Sequence, residues 1–481
     1  MESDVKLKKL LKDLPIKLYR GSQEVEIRGL SSHSKLVAPG FLFIAKKGSN
    51  DDGAAYIKEA ISNGSVCILS EEGDPFLKEV VQVVTSRVRE VEAVLAERFY
   101  ENPSSELTLV GITGTSGKTT ISYLIKHFFD LLEMPCGLIG TIEAIIGNYR
   151  YPPKLTTADV ITNQKMLRDM CKQGCTAAVM EVSSHGLEQK RVDRLLFDTA
   201  IFTNLSHDHL DYHQTMEAYA DAKALLFSSL SSSQRAVVNY DSPWSKRVTL
   251  HCKAPIYTFG FSPEADLYAH EIKLSLAGSS FLVTYRGETQ PFSWKHIGRH
   301  NIANALAALL TMAIRGVSLS KLSALLSTFP MVPGRLERVG NHPIFVDYAH
   351  KPDALEKVLG SLQELKKGKI VTLFGCGGDR DKAKRPVMAA IAERLSDWVV
   401  VTSDNPRSED PDQIAREIVA GFSGKNFSVE LDRKKAIALA ITLAKREDLI
   451  LIAGKGHETY QIFAHQTLPF DDRKIAAELI R

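Results

Sequence analysis

The stretch Leu107-Thr-Leu-Val-Gly-Ile-Thr-Gly-Thr-Ser-Gly-Lys-Thr-Thr120 decides how the rest of the chain is read. Leu107, Leu109, Val110 and Ile112 form an apolar, β-branched run that ends in a glycine-rich turn. Beyond the turn, Ile121, Leu124, Ile125, Phe128 and Leu132 recur at helical spacing. Strand, glycine loop and helix in that order predict a phosphate-binding loop. Its glycines let the backbone approach an anion closely, and the new helix turns its free N–H groups toward it. Gly114, Thr115, Ser116, Gly117, Lys118, Thr119 and Thr120 are the expected nucleotide contacts. Lys118 would reach terminal phosphates, and the Thr119 hydroxyl would hold Mg²⁺. The common pattern G-x-x-x-x-G-K-[ST] is not met, because its first glycine would fall on Ile112.

Working outward, 481 residues correspond to about three domains. A hydrophobic share of 44% and a charged share of 24% describe a globular chain, and a formal charge of +3 with interspersed signs offers no nucleic-acid or membrane-binding patch. The first residues carry too short an apolar run for a signal peptide, and no apolar span of membrane length follows, so a cytoplasmic protein is expected. Six cysteines without metal-type pairing read as thiols of a reducing compartment.

Residues 1–105 read as a small α/β domain, with strands at 25–30, 41–45 and 66–69 and helices at 75–81 and 88–100. Turn signals fall at Pro39-Gly40 and Gly48-Ser49-Asn50, and Asn102-Pro103-Ser104-Ser105 reads as a linker. Residues 106–330 alternate strands and helices into a parallel sheet, with polar–apolar alternation over 265–294 predicting an antiparallel β insertion. Glu181 closes one buried strand; such a carboxylate suits Mg²⁺ or a helix cap. The run 204–213, Asn-Leu-Ser-His-Asp-His-Leu-Asp-Tyr-His, is dense in potential ligands, yet most of it reads as surface or capping groups. On the helix 219–227, Lys223 taken alone looks like a solvated charge. Residues 331–481 repeat βα units into a Rossmann-like domain, whose glycines at 375–378 have the wrong spacing for a dinucleotide fingerprint. Asp404-Asn405-Pro406-Arg407 is a rigid turn bearing a guanidinium fork suited to a carboxylate.

Five segments together resemble the Mur ligase superfamily: the shortened phosphate loop, EVSSHGLEQKRV (181–192), DHLDYH (208–213), YADAKALLF (219–227) and GRHNIANALAA (298–308). The resemblance implies an α/β protein of three domains: UDP-substrate-binding (1–105), central ATP-binding (106–330) and C-terminal Rossmann-like amino-acid-binding (331–481). It implies that Glu181 and His209 help hold Mg²⁺ and that Lys223 carries a CO₂-derived carbamate, an anionic oxygen ligand where an ammonium would repel metal. Lys118, Glu181, His209 and Lys223 form the implied catalytic set. Asn301 and Asn304 would flank the adenine nucleotide, with Arg335 and Asp347 closing over ATP. Thr156, Thr157, Ser183, Gln189 and Arg191 would hold the acidic UDP-linked substrate; Ala158 stands where the family commonly has proline. Ser34 is a uracil contact by the same likeness, although His33-Ser34-Lys35 replaces the usual Asp-Ser-Arg.

Asp404-Asn405-Pro406-Arg407 further resembles the signature of the family's meso-diaminopimelate-adding branch. Arg380, Asp404, Asn405, Pro406, Arg407, Gly454 and Glu458 match positions that cradle the amino acid. The implied activity is ATP-dependent amide formation between meso-diaminopimelate and UDP-N-acetylmuramoyl-L-Ala-D-Glu through an acyl phosphate, in peptidoglycan precursor synthesis. Small-molecule partners only and a monomer are expected. A lysine-adding relative is opposed by Arg407, and a folylpolyglutamate synthetase by the UDP-type segment. A non-catalytic nucleotide sensor leaves Glu181, Lys223 and the third domain's loops unexplained.

Overall fold

The computed structural model describes residues 4–48, 51–464 and 466–480. Ser49 and Asn50, in the expected turn, lie outside them. Three principal sheets draw on residues 17–84, 108–294 and 337–453.

The first sheet has five strands in the order Lys17–Arg20, Val81–Val84, Ser65–Ser70, Phe41–Ile44, Gly29–Ser31, parallel except for its first pair. The helix expected over 75–81 is not there. Val80, Val81, Val83 and Val84 favour a pleated, buried strand, and Val81–Val84 fills the gap beside Ser65–Ser70. The side chain of Gln82 ties down the loop before it, accepting from Asp74 N and donating to Asp74 O and Leu77 O. Nor is 102–105 a loose linker: Pro103 and Ser104 are buried, and the Ser104 hydroxyl accepts from Leu196 N at 3.1 Å.

The second sheet runs through eleven strands: Tyr149–Tyr151, Ala144–Ile146, Cys136–Ile139, Ala177–Glu181, Thr108–Thr113, Thr199–Phe202, Arg235–Asn239, Ile256–Gly260, Leu267–Ser275, Gly278–Tyr285 and Glu288–Trp294. Its middle is parallel and both ends are antiparallel. The expected β insertion is therefore a continuation of the sheet, joined where Phe259 pairs with Leu267. Along Thr108–Thr113, Leu109 faces one core, and Val110 and Ile112 the other. The helices Lys118–Leu131 and Arg299–Ala313 cover the second of these faces. Val160–Lys172 and Met216–Ser228 cover the first.

The third sheet has the order Glu337–Arg338, Ile344–Asp347, Leu449–Ala453, Ile370–Phe374, Trp398–Val401, Phe427–Val429, parallel after its first strand. The last strand in sequence is inserted between the first two parallel ones. Four loops from distant parts of the chain thereby meet at one sheet edge, outside the carboxyl ends of the strands. Among the described residues no helix is long and apolar enough to cross a membrane.

Candidate active site

Thr108–Thr113 lies at the centre of the second sheet, with Ala177–Glu181 on one side and Thr199–Phe202 on the other. Glu181 pairs with Ile112, which brings its carboxylate level with the phosphate loop. The loop demands glycine at two places. Gly114 has φ +146 and a Cβ there would sit 1.8 Å from Thr203 Oγ1; Gly117 has φ +90 and a Cβ would sit 2.3 Å from Asn304 Oδ1. Thr203, which the sequence did not single out, and Asn204, at the head of the run 204–213, pin the loop: Asn204 O accepts from Thr115 N, Asn204 Oδ1 from Ser116 N, and Thr203 Oγ1 donates to Ser116 O.

A cleft of about 430 Å³ opens over this loop. Thr115, Ser116, Gly117, Lys118, Thr119, Thr120, Glu181, His209, Asn301, Asn304, Arg335 and Asp347, expected at nucleotide or metal, line it, together with Thr156 and Ser183, expected at the UDP-linked substrate. Gly114 lies behind them. Lys118 folds back onto the loop, its Nζ donating to Gly114 O and Thr115 O at 2.8 and 3.0 Å. Burial draws its pKa down to about 8, with Lys351 adding to the effect and Glu181 opposing it. Glu181 is fully buried; it accepts from the Thr119 and Thr141 hydroxyls and from Thr141 N. Arg335 Nη2 donates to Thr119 Oγ1 at 3.1 Å, so the C-terminal sheet's unit already reaches the phosphate loop. Asp347 is buried, and its carboxyl is raised to about 6 by burial against the pull of Arg335.

Lys223 is not a solvated charge. It is 1% exposed, its Nζ lies 4.3 Å from the centre of the Tyr219 ring, and burial with Lys118 nearby drives its pKa well below the usual lysine range. Nor is 204–213 mainly surface. Asp208 pairs with Lys351 of the C-terminal unit, and buried His213 contacts the Ser184 hydroxyl at 2.9 Å. His209 takes φ 54 and stands 3.3 Å from Asp208, its pKa pulled down to about 3 by burial and by Lys351.

Thr157, Gln189 and Arg191 form one network behind the cleft rather than in its wall. Thr157 bonds Ser183, and Arg191 donates to Thr157 O and Gln189 Oε1. Ser34 is not brought to them: its hydroxyl donates to Glu59 Oε2 at 2.5 Å within the first sheet's unit.

A second cleft of about 810 Å³ adjoins the first. Arg380, Asp404, Asn405, Arg407, Gly454 and Glu458 all line it, whereas Pro406 only shapes the turn. Gly375 and Gly378 pack against Thr402 O and Pro406 O, so that loop buttresses 404–407 and presents no dinucleotide cradle. Arg407, at φ 54, donates through Nη1 to Gly378 O at 2.7 Å. Buried Lys455, absent from the sequence reading, joins Asp404, Asn405 and Glu458 at 3.5, 3.0 and 3.0 Å. His209, Tyr348, His350 and Lys351 line both clefts and form the boundary between them.

Comparison with known proteins accords with this geometry. Family models for the Mur ligase middle domain and for the Mur ligase, glutamate ligase domain match residues 112–312 and 334–456. The chain belongs to the Mur ligase family. A Chlamydia caviae protein named UDP-N-acetylmuramoyl-L-alanyl-D-glutamate--2,6-diaminopimelate ligase is 45% identical over 98% of this chain and 99% of its own. A Clostridium acetobutylicum protein named as the first such ligase of its organism is 39% identical over 99% of each. A solved structure of a UDP-N-acetylmuramoyl-L-alanyl-D-glutamate--2,6-diaminopimelate ligase superposes with a TM-score of 0.72 at 33% identity, covering 99% of both chains.

Proposed function

We propose that this protein is an ATP-dependent amide ligase that adds meso-diaminopimelate to UDP-N-acetylmuramoyl-L-Ala-D-Glu, a cytoplasmic, monomeric enzyme of peptidoglycan precursor synthesis. The observation that carries the reading is the shared wall of the two clefts. A phosphate-loop cleft that opens directly onto a cleft lined by Arg380 and Arg407 suits a reaction that first phosphorylates a carboxylate and then offers it to an amine. Residues 1–105 would hold the UDP moiety with Ser34, 106–330 the ATP, and 331–481 the amino acid. Lys118 and Arg335 would neutralise charge as the D-glutamyl side-chain carboxylate attacks the γ-phosphate. Asn301 and Asn304 would seat the nucleotide, with Asp347 closing over it. Thr156 and Ser183 in the cleft wall, backed by the network of Thr157, Gln189 and Arg191, would orient the dipeptide.

Among the described residues no three His, Cys, Asp or Glu side chains converge as a metal cage. Mg²⁺ nevertheless fits, because it keeps water and phosphate ligands and needs few from protein. Thr119, the fully buried carboxylate of Glu181, and His209 would hold it, where it would screen the transferring phosphate. Burial and the nearby Lys118 draw the Lys223 amine well below the usual lysine range, toward the form that takes up CO₂ to become a carbamate.

Phosphate release from ATP, Mg²⁺ and UDP-N-acetylmuramoyl-L-Ala-D-Glu, with meso-diaminopimelate or L-lysine in parallel, tests the whole. Release with diaminopimelate alone is expected. Release with lysine alone keeps the ligase but refutes the role of Arg407, and release with neither refutes both. Lys223→Ala should lose most of the activity and regain part of it with acetate; full activity in the variant refutes the carbamate.

A further inference from the structure

Amide formation needs a group to take the amine's proton, and the boundary between the clefts narrows the choice. Of its four residues, Lys351 is paired with Asp208, and Tyr348 has its phenol pushed well above the usual range by burial. His209 faces Asp208 and is spoken for in the metal reading. Three acids of the second cleft are engaged as well: Lys351 and His209 hold Asp208, and Lys455 holds Asp404 and Glu458. His350 remains. Its Nδ1 stands 2.7 Å from Tyr348 O, an acceptor only, so Nδ1 carries the hydrogen and Nε2 the lone pair. Nε2 makes no hydrogen bond among the described residues. Lys384 Nζ donates to the backbone His350 O at 2.8 Å, which holds the main chain here, and the Tyr348 ring lies 4.5 Å from the imidazole.

We propose that His350 is the general base of the amide-forming step, its Nε2 receiving the proton of the attacking amine at the junction of the two clefts. The proposal rests on the ligase reading above. The acceptor enters as a free amine. Its nitrogen bonds to the acyl carbon, the bond from that carbon to the phosphate oxygen breaks with its electron pair on phosphate, and the N–H proton passes to Nε2. His350 returns that proton to the departing phosphate, so amide and hydrogen phosphate are the only products. Burial, with Lys351 and Lys384 beside the ring and Asp208 opposing them, keeps the imidazole neutral and its lone pair free.

Hydroxylamine separates this role from a structural one, because it is unprotonated at neutral pH, captures acyl phosphates directly and needs no base. The full-length protein is given ATP, Mg²⁺ and UDP-N-acetylmuramoyl-L-Ala-D-Glu with either meso-diaminopimelate or hydroxylamine, and amide or hydroxamate is measured. His350→Ala and His350→Gln should lower amide turnover about 100-fold while hydroxamate formation stays within about threefold of the parent. Equal loss of both products, or retention of both, would overturn the proposal. A parent protein that forms neither would overturn the ligase reading, and His350's role with it.

Discussion

The phosphate loop and the loops of the second cleft face one gap, yet they are built from opposite materials. On the central sheet the phosphate loop is shaped by backbone: two glycines in conformations that other residues rarely adopt, pinned by Thr203 and Asn204, with Lys118 folded onto loop carbonyls. On the C-terminal sheet the site is side chains: Lys455 neutralises Asp404 and Glu458, and buried Arg385 clamps Glu409, Glu417 and Gly377 O behind Arg407. A backbone site binds phosphate of any origin because every N–H is alike. A side-chain site carries charges in a fixed arrangement and can discriminate between amino acids. Two non-glycine residues in the left-handed region, His209 and Arg407, stand at the cleft walls.

If the second site rests on charge balance, removing its central cation should cost the most. Lys455→Met leaves two carboxylates in a pocket made for a cation. The C-terminal unit should lose about 3 kcal/mol, read as an earlier urea transition, while nucleotide binding to the central sheet persists. An unchanged midpoint would refute the charge-balance account. A smaller, reciprocal pair of effects separates the two sites in kinetics. Arg407→Ala should raise the diaminopimelate KM about 10–100-fold, with the ATP KM within about twofold, because a lost charge-assisted hydrogen bond is worth about 1.5–3 kcal/mol. Gly117→Ala, which drives a Cβ into Asn304, should do the reverse. Variants that moved both constants together would mean that the clefts are not separate sites.

The two regions were also unequally legible. The phosphate loop is a local device, so fourteen consecutive residues announce strand, turn and helix. Glu181 and the loop at 404–407 were readable because parallel strands place functional groups at their carboxyl ends. What escaped is non-local. The Lys351–Asp208 pair spans the second and third sheets' units, Lys455 gains meaning only from strands inserted out of order, and Thr203 and Asn204 matter through a neighbouring strand. Lys223 looked solvated because helical periodicity cannot tell which face a second helix will cover. At 75–81 a helix was expected, but the pull of valines into an open sheet position overrode it.

The smallest effect concerns protons and again divides the two sites. Lys118 titrates in the free protein at about 8, below its ordinary 10.5, because it is buried before any phosphate arrives. Between about pH 8 and 10.5 the folded protein thus binds fewer protons at this site than the unfolded chain, and its stability should rise with pH across that window. Nucleotide binding runs the other way, since phosphate oxygens require the ammonium. Below pH 8 the proton is already in place. Above it, binding must take one up, and affinity should weaken by as much as about tenfold per pH unit, or about 1.4 kcal/mol. Calorimetry of ATP binding in two buffers of different ionisation enthalpy would show the uptake, and Lys118→Arg, charged throughout, should abolish it. Lys118 does not line the second cleft, so acceptor affinity should not follow the same curve. An ATP affinity flat from about pH 7 to 9.5, without proton uptake, would mean that Lys118 keeps its charge in the free loop and that the central site is not built from backbone alone.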